Sequence, residues 1–475
     1  MNRLSTLCWP ALAVLVFSLS ACQVGHEFKA PEASGQVDWL PLRGESALSR
    51  TQATPIRPDW WQVFNDPLLS SLIQRATASN IDLKIAATRL EQSRAARQVI
   101  GGDQLPDVSA GLGYQRARNS AEGLSDPSGK AGKSAFNLWD GGFDASWELD
   151  LWGRVRREVE AADAAVAVSE NDRRGVLLSL QAETARDYLQ LRGVQETLSV
   201  TRQNLEVSRN SLSLSKERFS SGVATHLDVA EASAQVATVE ARLPILEQRQ
   251  AQLINALGLL LAQSPRVLQG ELERPNDATQ IATAIPVGLP SELALRRPDI
   301  LQAQARMHVA AASVGVAEGD FYPRIVLSGN LGFQSMQLSD FGSWGSRQFG
   351  IGPQLSLPIF EGGRLRGMLH LREAQEQEAA LTYQQTVLRA WQEIDDGMSL
   401  YNATQLQQAR LEEAVEHDQL ALATAKQQYV EGAVDFLNVL TVQRALLASQ
   451  EQRVESSTAQ GQALVGLYKA LGGGW

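Results

Sequence analysis

Cysteine is almost absent from this chain of 475 residues: only Cys8 and Cys22 occur, both near the N-terminus. No disulfide framework can support the fold. Proline is missing from 128–243 and again after Pro358, which leaves two long stretches free of the strongest helix breaker. Beyond the N-terminal segment, no run reaches the ~18 consecutive apolar residues of a transmembrane helix. Any later membrane crossing must use strands. Positive charge is short as well, the net charge being −10 at pH 7. That balance argues against a nucleic-acid partner, which needs a basic face. The five histidines (His26, His226, His308, His370, His417) are scattered, without metal-ligand spacing. No serine has glycine at both −2 and +2, so there is no nucleophile elbow. Gly123…Gly129-Lys130 has a P-loop outline one residue too long, with Ala131 in place of Ser/Thr. The chain reads as no enzyme and as needing no cofactor.

What is present begins with a targeting signal. Arg3 is a positive n-region and residues 11–19 are an apolar h-region of signal-peptide length. Leu19-Ser20-Ala21-Cys22 follows, with the pattern of a bacterial lipobox whose cysteine thiol accepts diacylglycerol. Residues 1–21 are therefore expected to be a lipoprotein signal peptide, with Cys22 as the lipidation site. Residues 22–59, punctuated by Pro31, Pro41, Pro55 and Pro58, read as an extended arm.

Two duplications organise the remainder. Lys216-Glu-Arg-Phe219-Ser-Ser-Gly222-Val-Ala-Thr225-His-Leu227-Asp228 is echoed 210 positions later. The second copy reads Lys426-Gln-Gln-Tyr429-Val-Glu-Gly432-Ala-Val-Asp435-Phe-Leu437-Asn438. In each, a glycine ends one helical pattern and Thr225 or Asp435 can cap the next, with Thr225 and Asp228 fitting a capping box. Both read as tips of long antiparallel helical hairpins. The helical stretches 153–221 and 363–431 would each span ~100 Å. Return helices are expected over 225–261, kinked at Pro244, and over 435–471.

Asp82, Leu83, Arg89, Ala95, Val99, Gly102, Asp103 and Pro106 are matched 217 positions on, from Asp299 to Pro323. After each proline the chain alternates with period two. Strands are expected at about 107–116, 143–152, 324–334 and 350–360, with aromatics at their ends (Trp139, Phe143, Trp152, Phe341, Trp344, Phe349, Phe360). Length and pattern suit a membrane β-barrel with interfacial girdles. A soluble hairpin with one wet face has the same pattern. The duplication assigns 60–275 to a first repeat and 276–475 to a second.

The lipobox, Val24-Gly25-His26-Glu27-Phe28, Trp60-Trp61 through Asp66-Pro67-Leu68, Trp147 through Arg154, and the two tips together resemble the TolC-like outer-membrane efflux proteins. The closest branch is the NodT/OprM-type lipoproteins. His26 departs from that family, which usually has proline there, a change expected to affect only the arm. The resemblance implies a mixed α and β fold and a homotrimer whose twelve-stranded outer-membrane β-barrel continues into a periplasmic α-helical tunnel. It further implies a passive exit duct in a tripartite pump, with a periplasmic adaptor protein and an inner-membrane RND-type transporter as partners and small toxic compounds as cargo. Gly222, Val223, Gly432 and Ala433 would be adaptor-docking tips. Glu431 and Asp435 would form a channel constriction; the alternative is that Asp435 is only an N-cap and Glu431 a solvated charge. Two alternatives remain: a duct for a dedicated substrate such as a polypeptide, and a non-conducting structural lipoprotein. The alternating strands count against the latter.

Overall fold

The computed structural model describes residues 24–31, 50–52, 58–122, 134–274, 284–286 and 296–473. Two compact units result. One takes residues 1–31, 89–170 and 302–383; the other takes 32–88, 171–301 and 384–475. Each unit draws on both sequence repeats, so the repeats 60–275 and 276–475 are not the compact bodies.

In chain order the elements are β1 (Arg50–Gln52), a 3-10 turn (Trp60–Phe64), α1 (Pro67–Ser79), α2 (Ile81–Gly102), β2 (Asp107–Ala117) and β3 (Phe136–Glu148). Then come α3 (Arg154–Ser220), α4 (His226–Glu240), α5 (Leu243–Leu260), α6 (Gln269–Leu272), β4 (Ala284–Pro286) and α7 (Pro298–Gly319). The chain finishes with β5 (Arg324–Ser335), β6 (Arg347–Ser356), α8 (Arg364–Glu431) and α9 (Phe436–Ala470). At 67 and 68 residues, α3 and α8 are the proline-free stretches. The first return helix is broken at Ala241 and Arg242, not merely kinked, with Pro244 in the first turn of α5. Proline is tolerated there because that amide has no intrahelical partner.

The first unit holds one antiparallel sheet in the order β2-β3-β5-β6. Its register places Val108 opposite Ala145, Ala110 opposite Phe143, Phe143 opposite Leu331, and Leu331 opposite Phe349. One face is thus apolar across all four strands, with Val108, Leu112, Phe143, Leu331, Phe349, Ile351 and Leu355 exposed. The opposite face carries Ser109, Asp140, Asp144, Asn330, Gln334 and Gln354. β2 and β6 are edges, and the ends at Asp107, Glu148, Arg324 and Ser356 all lead into helices.

The two returning strands begin earlier than the sequence reading: β3 covers 136–148, not 143–152, and β6 covers 347–356, not 350–360. Apolar alternation continues through Leu149-Leu151 and Leu357-Ile359 after the ladder has stopped. Alternation reports which face is apolar, not where pairing ends. The described start of the arm, residues 24–31, is docked: the Val24 amide donates to the Trp152 carbonyl at 2.9 Å, and Arg157 donates to the carbonyls of Val24 and Gly25. His26 reaches beyond the arm, pairing with Glu376 of α8 at 2.9 Å.

The second unit contains the main apolar core. Phe64, Leu69, Leu72, Ile73, Leu191, Leu257 and Leu464 are almost wholly removed from solvent there. Each such side chain contributes roughly 1.5–3 kcal/mol by burial. Trp60 stacks on Tyr468 at 5.3 Å, joining the start of this unit to its final helix. β1 and β4 form a short parallel pair that the sequence does not announce.

Candidate functional site

Both hairpin tips lie in the second unit and end as their glycines dictate. Gly222 has φ 75° and Gly432 has φ 78°. The Val223 amide donates to the Arg218 carbonyl at 2.9 Å, and the Ala433 amide to the Gln428 carbonyl at 2.8 Å. These bonds across five residues are the Schellman closure that a left-handed residue permits. Thr225 then completes the capping box with Asp228: the Thr225 amide donates to Asp228 Oδ2 at 2.7 Å and the Asp228 amide to Thr225 Oγ1 at 3.2 Å. Asp435 Oδ1 accepts from the Asn438 amide at 3.1 Å and from Asn438 Nδ2 at 2.6 Å.

Gly222, Val223, Glu431, Gly432, Ala433 and Asp435 are all exposed. Glu431 accepts from Gln427 Nε2 at 3.0 Å. Among the described residues, neither Glu431 nor Asp435 meets a cation. Cys22 lies outside the described residues.

Sequence reasoning missed the contact that joins the tips. Arg218, at the end of α3, lies 4.7 Å above the Tyr429 ring and donates to the Val430 carbonyl at 3.0 Å. Tyr429 in turn packs on Phe436 at 5.3 Å, within a cluster that includes Val415, Leu422, Val439 and Leu440. The duplicated motifs hid this: Arg218 corresponds to Gln428, and only one copy has the cation. Burial pushes the Lys426 ammonium below the usual lysine range.

Behind the tips, α3 buries Thr201, Asn204, Ser208, Ser211 and Ser215, spaced as a heptad seam but polar. Gln443 Nε2 donates to Ser208 Oγ at 2.7 Å, and Asn204 Nδ2 to Gln450 Oε1 at 2.7 Å. At the other end of this unit Arg297 is buried. It donates to the Ala470 carbonyl and to Asp299 and Glu393, each at 2.7 Å from a terminal nitrogen. Burial alone would lower its pKa, but the two carboxylates outweigh burial and raise it above the usual arginine value. Asp299, Glu393, Asp396, Arg186 and Lys469 line a cavity of about 740 Å³ beside it. Arg297 pairs with Asp299 and Glu393 at a helix end, the arrangement of a structural clasp.

A sheet with one apolar face, continuous in sequence with two helices of nearly seventy residues, is the arrangement that decides the comparison. The profile of the outer membrane efflux protein family matches residues 72–263 and 289–473. The chain belongs to that family. It is 34% identical over 430 residues to the pyoverdine export outer membrane protein OpmQ of Pseudomonas aeruginosa, covering 90% of each chain. It is 33% identical over 469 residues to the toluene efflux pump outer membrane protein TtgF of Pseudomonas putida, covering 97% and 96%. The solved outer-membrane channel OprN superposes with a TM-score of 0.88 at 32% identity, over 96% of this chain and 100% of that one. As a member of the outer membrane efflux protein family, the chain has the TolC-like mixed α and β fold and resides in the outer membrane. The family forms trimeric channels that work with adaptor proteins and inner-membrane pumps.

Proposed function

We propose that this chain is the outer-membrane duct of a tripartite efflux pump of the RND type, conducting small toxic compounds outward. The observation that carries the reading is the four-stranded sheet with an apolar face and two open edges. Unpaired edges are not tolerated in lipid. Three copies supply twelve strands and close every edge, with the apolar face on lipid and the row of Asp140 and Asp144 on the water-filled side. The helices continue from the strand ends into the periplasm. No catalytic step is required; the inner-membrane transporter supplies the energy.

In this reading the exposed tips at Gly222, Val223, Gly432 and Ala433 receive a helical hairpin of the adaptor, because small residues let a partner backbone approach. Glu431 and Asp435 form a ring of six carboxylates at the periplasmic mouth. Electron microscopy of the purified protein should give a three-fold, hollow particle ~100 Å long. A single-stack monomer, or a three-fold particle without conductance in planar bilayers, overturns the duct. A second reading, export of one dedicated solute, is favoured by the likeness to OpmQ, named for pyoverdine export. Deletion of the gene separates the two: broad sensitisation to toxic compounds supports the first, and loss of one secreted solute alone supports the second.

A further inference from the structure

The apolar sheet face carries charge at only two of its positions. Going across it, the outward residues are Val108, Ala110, Leu112, Tyr114 and Arg116 on β2, and Asn137, Trp139, Gly141, Phe143, Ala145 and Trp147 on β3. On β5 they are Ile325, Leu327, Gly329, Leu331, Phe333 and Ser335, and on β6 Arg347, Phe349, Ile351, Pro353 and Leu355. Arg116 and Arg347 are the exceptions. Both lie at the strand ends remote from the helices, both are exposed, and neither meets a carboxylate among the described residues. A cation on a lipid-facing strand is strongly unfavourable at mid-membrane and nearly neutral at an interface. At the outer rim, one of the two interfaces of this face, they are inexpensive.

Each arginine is held in place but left with free donors. The Arg347 guanidinium lies 3.7 Å from the ring centroid of Trp344, a residue 79% exposed, and Nη1 donates to the Trp344 carbonyl at 2.6 Å. Arg116 Nη1 makes one long bond of 3.4 Å to Asn137 Oδ1, which the Tyr114 hydroxyl also approaches at 3.1 Å. Tyr114 packs on Trp139 at 4.3 Å. A guanidinium has five N–H donors in a fork that suits phosphate oxygens, and stacking on an aromatic ring leaves its edge free. Aromatic rings beside such cations belong to the headgroup level of a bilayer.

Arg116 and Arg347 sit on opposite edges of the sheet, β2 and β6. β2 runs toward the outer rim and β6 away from it, so barrel closure pairs them antiparallel with their outer ends adjacent. We propose that Arg347 of one protomer and Arg116 of the next form a composite site, flanked by Trp344 and Tyr114, for the phosphate of an acylated phosphoglycolipid of the outer leaflet. The proposal rests on the trimeric duct reading, since a lone chain holds the two cations three strands apart. Two arginines converging on one phosphate give charge-assisted, geometrically selective bonds. Apolar Phe349 and Ile351, directly inward on the same face, receive the acyl chains.

The test uses the purified full chain in detergent, titrated with diphosphoryl lipid A, with fully dephosphorylated lipid A, with phosphatidylglycerol and with inorganic phosphate, read by native mass spectrometry. Diphosphoryl lipid A should bind, and dephosphorylated lipid A should bind at least tenfold more weakly. Arg116→Gln and Arg347→Gln should each weaken binding several-fold, and the double variant by more than tenfold, while trimer content and bilayer conductance stay unchanged. Unaltered lipid A binding by the double variant overturns the site. Equal binding of phosphatidylglycerol overturns the glycolipid assignment, and competition by millimolar inorganic phosphate alone reduces it to an anion site. If the wild-type chain is not trimeric by electron microscopy, the duct reading fails, whatever the lipid result.

Discussion

The Tyr188 hydroxyl donates to Asp66 Oδ2 at 2.6 Å, in a site where both residues are buried. The other oxygen of the same carboxylate accepts the amides of Leu68 and Leu69, at 2.9 and 3.1 Å, and so caps α1. One aspartate thus fastens the first helix of the second unit to α3, the longest helix of the first repeat. Burial first, then the Asp66 hydrogen bond, pushes the Tyr188 hydroxyl up to about 12.

That shift has a defined pH signature. A group whose folded pKa is raised stabilises fully below its unfolded value, near 10 for tyrosine, and the contribution is lost as pH rises through the folded value. Heat inactivation should therefore accelerate between pH 10 and 12. Tyr188→Phe should destabilise by about 1–3 kcal/mol at pH 7, because it leaves Asp66 short of a partner. It should also flatten the alkaline limb in thermal melts; an identical limb in the variant would assign the pH dependence elsewhere.

Gly142 and Gly332 face each other on the polar side of the sheet. A Cβ on Gly142 would lie 2.5 Å from the Leu331 carbonyl oxygen, and one on Gly332 would lie 2.5 Å from that of Gly141. Backbone cannot move aside as a flexible side chain can. Alanine at either position should part β3 from β5 and sharply lower the yield of heat-resistant protein in membranes. Gly111→Ala and Gly352→Ala, where an added Cβ meets nothing within 4 Å, should behave as wild type on a gel of unheated samples.

Arg297 ties the end of α9 to the start of α7. Arg297→Ala would leave Glu393 and the Ala470 carbonyl without their donor; because both carboxylates are nearly half exposed, the loss should be about 1–3 kcal/mol. Arg297→Lys keeps the charge but cannot fork to three acceptors, and its loss should be smaller. The ordering wild type, lysine, alanine in thermal melts checks this; equal loss for both variants would mean that charge contributes little.

Local signals were the legible ones. The tip glycines, the Thr225-Asp228 box and Asp66-Pro67 each specify their own backbone, and each sits in the structure as its residues dictate. Contacts between distant segments were not legible. The Arg218–Tyr429 pairing joins the two copies of the motif at positions that do not correspond, and β1–β4 pairing spans more than two hundred residues. The seam on α3 escaped notice for a different reason: Thr201, Asn204, Ser208, Ser211 and Ser215 have helical spacing but no apolar signature. Arg116 and Arg347 were invisible until register assigned them a face, since one step along a strand reverses the side on which a residue lies.

Acylation of Cys22 is the next expectation. The arm is held at Val24, two residues after Cys22 in sequence, by the Trp152 carbonyl and Arg157. Cys22→Ala should abolish palmitate labelling and slow processing, while part of the protein still reaches the membrane through its barrel. Labelling that persists in the variant would remove Cys22 as the acceptor.

The proposed constriction at Glu431 and Asp435 offers the sharpest electrical test. Asp435 uses Oδ1 for both of its hydrogen bonds within the cap, which leaves Oδ2 to face solvent, and Glu431 is exposed one turn away across Gly432. Carboxylate rings select cations and bind polyvalent ones. Asp435→Asn with Glu431→Gln preserves shape and, through the asparagine carbonyl, most of the cap, yet removes six charges from a trimer. Cation-over-anion permeability in planar bilayers should fall toward unity, and the concentration of a trivalent cation needed for half block should rise at least tenfold. Asp435→Ala, by contrast, should also cost about 1 kcal/mol of helix stability. Unchanged selectivity in the double variant, together with destabilisation by Asp435→Ala, would leave Asp435 as a helix cap and Glu431 as a solvated charge.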